Sequence, residues 1–361
     1  SFIKKHRLFG MIIPKEYGGL ELSPLAHSAI VAKLSSRSSA LGITVMVPNS
    51  LGPAELLIHY GTEEQKEYYL PRLAKGEEIP CFALTEPQAG SDAGSMKAEG
   101  IVVRKRTGEL MLKLNFDKRW ITLSGISTVV GLAFQLKDPN NYLGKGTAPG
   151  ITCALIPRET KGMVIDTRHD PMGVPFYNCP IKGRNVEVPV SVIIGGPENA
   201  GKGWFMLMEC LSVGRGISLP ANATGGAKLV SRVASSFAKV RQQFGLSIGQ
   251  FEGVEEPLAR IGALTYMMDG SRRLMCGHLA KGGKPGVISA IMKYHYTESF
   301  RDIINDGLDV MGGAGISSGP RNLLANAYIA APIGVTVEGA NILTRTMIIF
   351  GQGALRCHPY A

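Results

Sequence analysis

Residues 79–198 constrain the fold more than any other part of the chain. They are written in short apolar or alternating runs: "IVV" at 101–103, "LMLKL" at 110–114, "VVGLAFQL" at 129–136, "ITCALIP" at 151–157 and "VEVPVSVII" at 186–194. Gly, Pro, Asn and Asp separate them, so the spacing predicts strands closing a compact β barrel or sandwich. The flanks have a different period. Upstream, "LGPAELLIHYGTEEQKEYYLPRLAKGEE" at 51–78 is rich in Glu, Lys and Leu and predicts short helices broken at Gly61 and Pro71. Downstream, Phe300, Ile303, Ile304, Leu308 and Met311 form one apolar stripe in a helix expected from about Gly286, and "VEEPLARIGALTYMMDGSRRLMCGHLA" is a second long helix. The expected division is helical over 1–78, β over 79–198 and helical over 199–361, an α+β multidomain chain.

With 361 residues, 45% hydrophobic and 19% charged, the chain is of globular composition and long enough for two or three structural units. Its formal charge of +10 is compatible with a polyanionic partner, whether nucleic acid, an acidic membrane surface or a phosphate-rich small molecule, and charge alone does not choose. The six cysteines, Cys81, Cys153, Cys179, Cys210, Cys276 and Cys357, are scattered without a C-x-x-C pair, so they are expected as reduced, mostly buried thiols of a cytosolic-type protein. The seven His residues show no ligand spacing, and no metal site is expected. No apolar run approaches the ~18 to 20 residues of a membrane span. The basic start "SFIKKHRLFGMIIP" is too short in its apolar part for a signal peptide. The absence of an initiating Met and the stop at "RCHPYA" suggest a fragment or trimmed domain.

Two kinds of motif match carry no chemistry. "GGPENAGKG" at 195–203 has P-loop spacing, but Gly203 stands where a magnesium-binding hydroxyl is required, and no βαβ unit surrounds it. "GLSIG" and "GISSG" fit G-x-S-x-G but follow helical segments, not strands, so neither is a nucleophile elbow.

The stretch "CFALTEPQAGSDAGSM" at 81–96 is different. Its small residues would let backbone N–H groups approach a phosphate closely, with Thr85 and Ser91 adding hydroxyls, but taken alone it reads as an ordinary turn. Likewise "GVTVEGANILTR" at 334–345 puts Glu338 before a glycine and a helix. By itself that carboxylate is a dipole-stabilising charge worth ~0.3 to 1 kcal/mol.

Together these stretches resemble the acyl-CoA dehydrogenase family. "TEPQAGSD" resembles its flavin-binding signature, with Gln88 where the family usually has Gly. "KRWITLS" resembles its W-I-T segment, "VRQQFG" its R-x-x-F-G, "MGGAG" its glycine-rich turn and "VEGANILTR" the segment of its catalytic base, all in the family's order. "IPKEYGG", "VPNSLGP" and "FGQGALRCHPY" resemble the bacterial fatty-acid oxidation branch with a further C-terminal domain, of which this chain would lack the first helices and everything after Ala361.

The resemblance implies an N-terminal helical domain, a middle β domain and a C-terminal four-helix bundle. It implies FAD as cofactor, held by Phe82, Leu84, Thr85, Ser91, Trp120, Thr122, Gly312, Gly313, Gly339 and Ala340, with Arg241 and Phe244 reaching the FAD of a neighbouring subunit. Glu338 would be the base removing the α proton of a fatty acyl-CoA, and Ser91, Arg215 and Gly339 would contact substrate. Some members carry the base immediately before an Arg on an earlier helix; the matching stretch "CLSVGRGIS" has Gly214 there, which leaves Glu338. Val337, Ala340, Ile342 and Asp309 depart from the family's usual residues, and the usual Arg-Asp upstream of the base is absent from "YIAAPIG". The implied reaction is dehydrogenation to the trans-2-enoyl thioester in β-oxidation, with electrons passed to an electron-transferring flavoprotein. A homo-oligomer is implied, cytoplasmic and within reach of the inner membrane as a peripheral protein, with FAD and CoA phosphates accounting for the positive charge without nucleic acid. Acyl-CoA oxidase chemistry, a DNA-associated flavoprotein of the alkylation-response branch, and an incomplete fragment that binds FAD poorly stay open as alternatives.

Overall fold

The computed structural model describes residues 1–50, 52–283 and 285–350, without the side chains of 211–213. Cys357 and most of the "FGQGALRCHPY" stretch therefore lie outside the described residues, as does Leu51 of "VPNSLGP". In chain order the elements are helices α1 (Phe2–Lys5), α2 (Pro24–Ser35), α3 (Ser39–Met46), α4 (Pro53–Tyr60) and α5 (Glu63–Lys75). Strands β1 (Pro80–Ala83), β2 (Glu99–Arg104), β3 (Leu110–Thr122), β4 (Val129–Lys137), β5 (Gly150–Pro157), β6 (Met163–Ile165) and β7 (Asn178–Pro189) come next. After them come α6 (Gly203–Val240), a hairpin of β8 (Gln242–Gln243) and β9 (Leu246–Ser247), then α7 (Glu252–Ala280), α8 (Gly286–Met311), α9 (Gly313–Ile316), α10 (Ala325–Thr336) and α11 (Asn341–Ile349). The chain forms two compact units, one of residues 1–22, 44–170 and 175–211, the other of 23–43, 171–174 and 212–361.

In the first unit β1 to β7 form a single sheet, ordered β1-β4-β2-β3-β7-β6 with β5 on β4. One detail of its register matters most. β1 and β2 both run parallel to β4, Pro80–Ala83 against Val129–Leu132 and Glu99–Ile101 against Gln135–Lys137. They follow one another along the same edge, so residues 84–98 leave the sheet between them as a loop. The expected run at 186–194 is corrected: β7 begins at Asn178 and stops at Pro189, which has no N–H for the ladder, and Val190–Val192 is a 3-10 turn.

The expected break at Pro71 is also corrected. Gly61 ends α4, but α5 runs through Pro71. A capping box of Thr62 and Gln65 fixes its start, and Leu70, Leu73 and Ala74 are buried with Ile13, Leu56 and Leu57. Burial of that face, at ~25 cal/mol per Å², outweighs the ~3 kcal/mol that proline costs inside a helix.

The second unit is helical. Ala223, Ala227, Val230 and Ala234 of α6 share a core with Ile261, Met268 and Met275 of α7, with Tyr296, Phe300, Ile303 and Ile304 of α8, and with Ala327 and Ala331 of α10. Four helices around one core make the expected bundle. Small residues on α6 bring α8 close: a Cβ on Gly226 would stand 2.5 Å from the Phe300 ring. No helix among the described residues is long and apolar enough to cross a membrane.

Candidate active site

The loop between β1 and β2 is built around a buried ion pair. Glu86 and Ala89 exchange backbone hydrogen bonds around Pro87 and Gln88, closing a tight turn. The Glu86 carboxylate turns inward and accepts from the backbone N–H of Lys97 (2.6 Å) and Ala98 (2.9 Å) and from Lys118 Nζ (2.8 Å). Lys118 also donates to the Leu84 carbonyl at 2.9 Å. Burial pushes the Glu86 carboxyl up, but these donors outweigh it and hold it below its usual range; burial pulls Lys118 down despite the carboxylate beside it. The pair therefore clamps both ends of the loop, leaving Ser91 and Asp92 exposed at its tip. Because Lys118 is fully buried, Glu86→Ala is expected to cost ~3 to 5 kcal/mol, measured as a fall in the denaturant midpoint.

Beside this loop the end of β3 is irregular. Four residues, Lys118 to Ile121, oppose three on β7, Ile181 to Cys179, and Trp120 within this bulge has φ +62°. A left-handed tryptophan is strained by ~1 to 3 kcal/mol and persists only when its surroundings hold it. Asn178 Nδ2 donates to the Trp120 carbonyl (3.1 Å) and toward Thr122 Oγ1 (3.4 Å), while Asn178 Oδ1 meets His169 Nδ1 at 2.8 Å. The His169 ring lies 4.3 Å from the indole, and the Arg119 guanidinium 5.2 Å from it. Even so, the indole is 54% exposed. A large aromatic face held outward next to the hydroxyl-bearing loop suits a planar, phosphate-bearing cofactor such as FAD. Phe82 and Leu84 pack partly buried against the core beneath.

In the second unit α10 ends at Thr336 and α11 begins at Asn341. Glu338 and Gly339 form the connection with φ +55° and +88°, two consecutive left-handed residues. The Gly339 carbonyl is pinned from two sides, by Lys293 Nζ (2.8 Å) and Thr344 Oγ1 (3.0 Å). Lys293, fully buried on α8, also donates to the Val335 carbonyl (3.1 Å) and to Asn341 Oδ1 (2.6 Å). Asn341 Nδ2 in turn donates to Thr297 Oγ1 and Glu298 Oε1. The turn is thus bolted to α8 through the Lys293 ammonium and the Asn341 amide.

Arg215 of α6 approaches the same turn: a Cβ on Gly339, at φ +88°, would be strained and would stand 3.3 Å from its Nη2, tighter than ordinary contact. Oε2 of Glu338 is buried without a hydrogen-bond partner, and so is Nε of Arg215. Burial pushes the Glu338 carboxyl up to about 7, against the lowering effect of Arg215 and then Lys293. Burial brings Lys293 down to about 8. The Glu338 backbone N–H has no acceptor among the described residues. A carboxylate with a buried, unpartnered oxygen, poised near neutrality, is suited to accept a proton.

Arg215, Glu338, Gly339 and Ala340 are therefore brought together; the Arg119 backbone N–H donates to the Thr85 carbonyl (3.0 Å), which sets Thr85 beside Trp120 and Thr122, with Ser91 further out on the same loop. Arg241 and Phe244 are not part of the Glu338 cluster, since Arg241 lies 26 residues beyond Arg215, roughly 39 Å along α6. Phe244 sits at the hairpin tip, 94% exposed with φ +52°. Gly312 and Gly313 form the junction of α8 and α9. Sequence reasoning missed Lys293, Asn341, His169, Asn178 and the role of the Glu86–Lys118 pair.

Models of the acyl-CoA dehydrogenase N-terminal, middle and C-terminal domains match residues 3–77, 81–186 and 201–351. A 3-(aryl)acrylate reductase of Clostridium sporogenes is 34% identical over 316 residues, covering 85% of this chain and 78% of that protein. An acyl-CoA dehydrogenase of Bacillus subtilis is 30% identical over 351 residues, covering 95% of this chain and 86% of that protein. The solved acyl-CoA dehydrogenase from Bacillus anthracis complexed with FAD matches with a TM-score of 0.84 at 25% identity, over 98% of this chain and 61% of that one.

Proposed function

Because the chain belongs to the acyl-CoA dehydrogenase family, and is thus a flavin-dependent oxidoreductase with FAD as cofactor, we propose that it dehydrogenates fatty acyl-CoA thioesters in β-oxidation. The observation that carries this reading is Glu338: a carboxylate on a left-handed turn, with one oxygen buried and unpartnered, poised near neutrality. Glu338 takes the α proton of the thioester, a hydride leaves the β carbon, and the α–β double bond forms. FAD, when bound, supplies the hydride acceptor.

The same reading gives the other residues their roles. The free N–H of Glu338 donates to the thioester oxygen as negative charge develops there. Arg215 contacts the CoA portion and, with Lys293, keeps the base from rising further in pKa. Trp120 and Thr122 wall the flavin, Thr85 and Ser91 meet its phosphates or the CoA, and Gly312 and Gly313 allow close backbone approach. Arg241 and the exposed Phe244 serve the FAD of a second copy in a homo-oligomer. Electrons then pass to an electron-transferring flavoprotein.

The Clostridium sporogenes relative favours one second reading, an acyl chain ending in an aryl group. Anaerobic titration of the FAD-loaded protein with saturated acyl-CoAs of increasing length, and with 3-phenylpropanoyl-CoA, tests both. Flavin bleaching is expected with medium to long fatty acyl-CoAs. Bleaching by the aryl thioester alone would select the second reading, and no bleaching by any thioester would remove both. Peroxide formed under air would mark an oxidase.

A further inference from the structure

Half of the chain's formal charge is gathered at a place that the Glu338 site does not use. Between α2, α6 and α7, within the second unit, lies a cavity of ≈ 590 Å³ whose walls carry Lys33, Arg37, Lys228, Arg232, Arg272 and Arg273. Asp269 answers three of the six. Asp269 accepts from Lys228 (2.7 Å), Arg272 (2.7 Å) and Arg273 (3.1 Å). Burial pushes the Asp269 carboxyl up, but Lys228 and Arg272 outweigh it and hold it far below its usual range. Lys33, Arg37 and Arg232 form no ion pair with any described residue, so an excess of five positive charges faces the cavity.

Arg272 is what makes this a built site and not a solvated basic surface. It is 3% exposed, held by Ser28 Oγ (2.9 Å) and Asp269, and its Nε is buried with no partner. Asp269 compensates the buried Arg272, but the exposed cations that line the same cavity repel one another and favour a bound anion. Arginine's planar fork matches phosphate oxygens bidentately, and the volume is that of a small-ligand pocket. The small and apolar side chains of Ala29, Ala32 and Leu229 complete the wall, giving a non-ionic part of a ligand a place to rest. Lys228 stands 13 residues along α6 from Arg215, roughly 20 Å, so this cavity is separate from the Glu338 cluster.

We infer that this cavity binds a small ligand bearing two or more phosphate groups. Isothermal titration of the FAD-loaded protein with inorganic pyrophosphate tests it. One saturable site per chain is expected, weakening as salt rises. Arg37 and Arg232 are exposed and unpaired, so the double variant Arg37→Ala/Arg232→Ala should keep its melting temperature without ligand and its rate of flavin reduction by acyl-CoA. It should bind pyrophosphate at least ~10-fold more weakly. Absence of saturable binding to the unaltered protein overturns the inference. So does equal affinity in the double variant, which would put pyrophosphate at a CoA or FAD phosphate site. Binding of an oligonucleotide without binding of pyrophosphate would overturn it in favour of a nucleic-acid surface.

Discussion

Glu338→Gln should bind acyl-CoA and FAD and yet reduce the flavin ~10² to 10⁴ times more slowly, the usual contribution of a positioned general base. Glutamine keeps the size of the side chain and asks nothing new of a backbone already at φ +55°. What it removes is the capacity to accept a proton. The stability of this variant separates a catalytic from a structural role. The Glu338 carboxyl is raised to about 7 from an ordinary carboxylate value, chiefly by burial, so the folded state holds the proton more tightly than the unfolded chain does. Its favourable contribution is complete below the unfolded value and is lost as pH rises through about 7. At neutral pH and above, Glu338→Gln is therefore expected to be at least as resistant to denaturant as the unaltered protein. In the unaltered protein the rate of flavin reduction should climb as pH rises through about 7, and that rise should be missing from the residual rate of the variant.

Lys293→Met is the second large effect. It strips a donor from the Gly339 and Val335 carbonyls and from Asn341, all within reach of the base. A base displaced by ~1 Å loses on the order of 10²-fold in rate. Loss of the charge acts separately. Lys293 lowers the pKa of Glu338, so the pH profile of flavin reduction should move to higher pH in Lys293→Met and return in Lys293→Arg, even if the bulkier group restores only part of the rate. An unchanged midpoint in Lys293→Met would mean that this lysine only holds the fold. Stability should also fall by ~1 to 3 kcal/mol for the Val335 carbonyl left without this donor, whereas Gly339 keeps Thr344 Oγ1.

Neither Lys293 nor Lys118 announced itself as functional, although both broke a pattern that was visible. The stripe of Phe300, Ile303 and Ile304 extends backward at helical spacing through Tyr296 and Thr297 to Lys293, which places a lysine on the buried face of α8. Leu112, Leu114 and Phe116 alternate along β3, and the same period puts Lys118 in the core. A lysine in register with buried apolar residues implies an acceptor, but the acceptors come from segments distant in sequence. Asn341 is 48 residues from Lys293, and Glu86 is 32 from Lys118. Local pattern cannot supply that pairing.

Helix and strand types were legible because period survives in the text. Pro71 misled because its local cost is visible whereas the core that outweighs it is not. The parallel pairing of β1 and β2 with one strand, which turns "TEPQAGSD" into a projecting loop, is a fact of topology. The left-handed backbones of Trp120 and Glu338 were equally out of reach, since neither residue type favours φ above zero and only the fold imposes it.

The central claim, that Glu338 is the proton acceptor, can be tested without any redox step. An acyl-CoA with sulfur in place of its β carbon has no hydride to lose there, so exchange of its α protons with deuterium oxide reports proton abstraction alone. The FAD-loaded protein is expected to catalyse that exchange, faster as pH rises through about 7, and Glu338→Gln is expected to bind the thioester without exchanging it. Exchange that persists in Glu338→Gln would contradict the assignment and require another base.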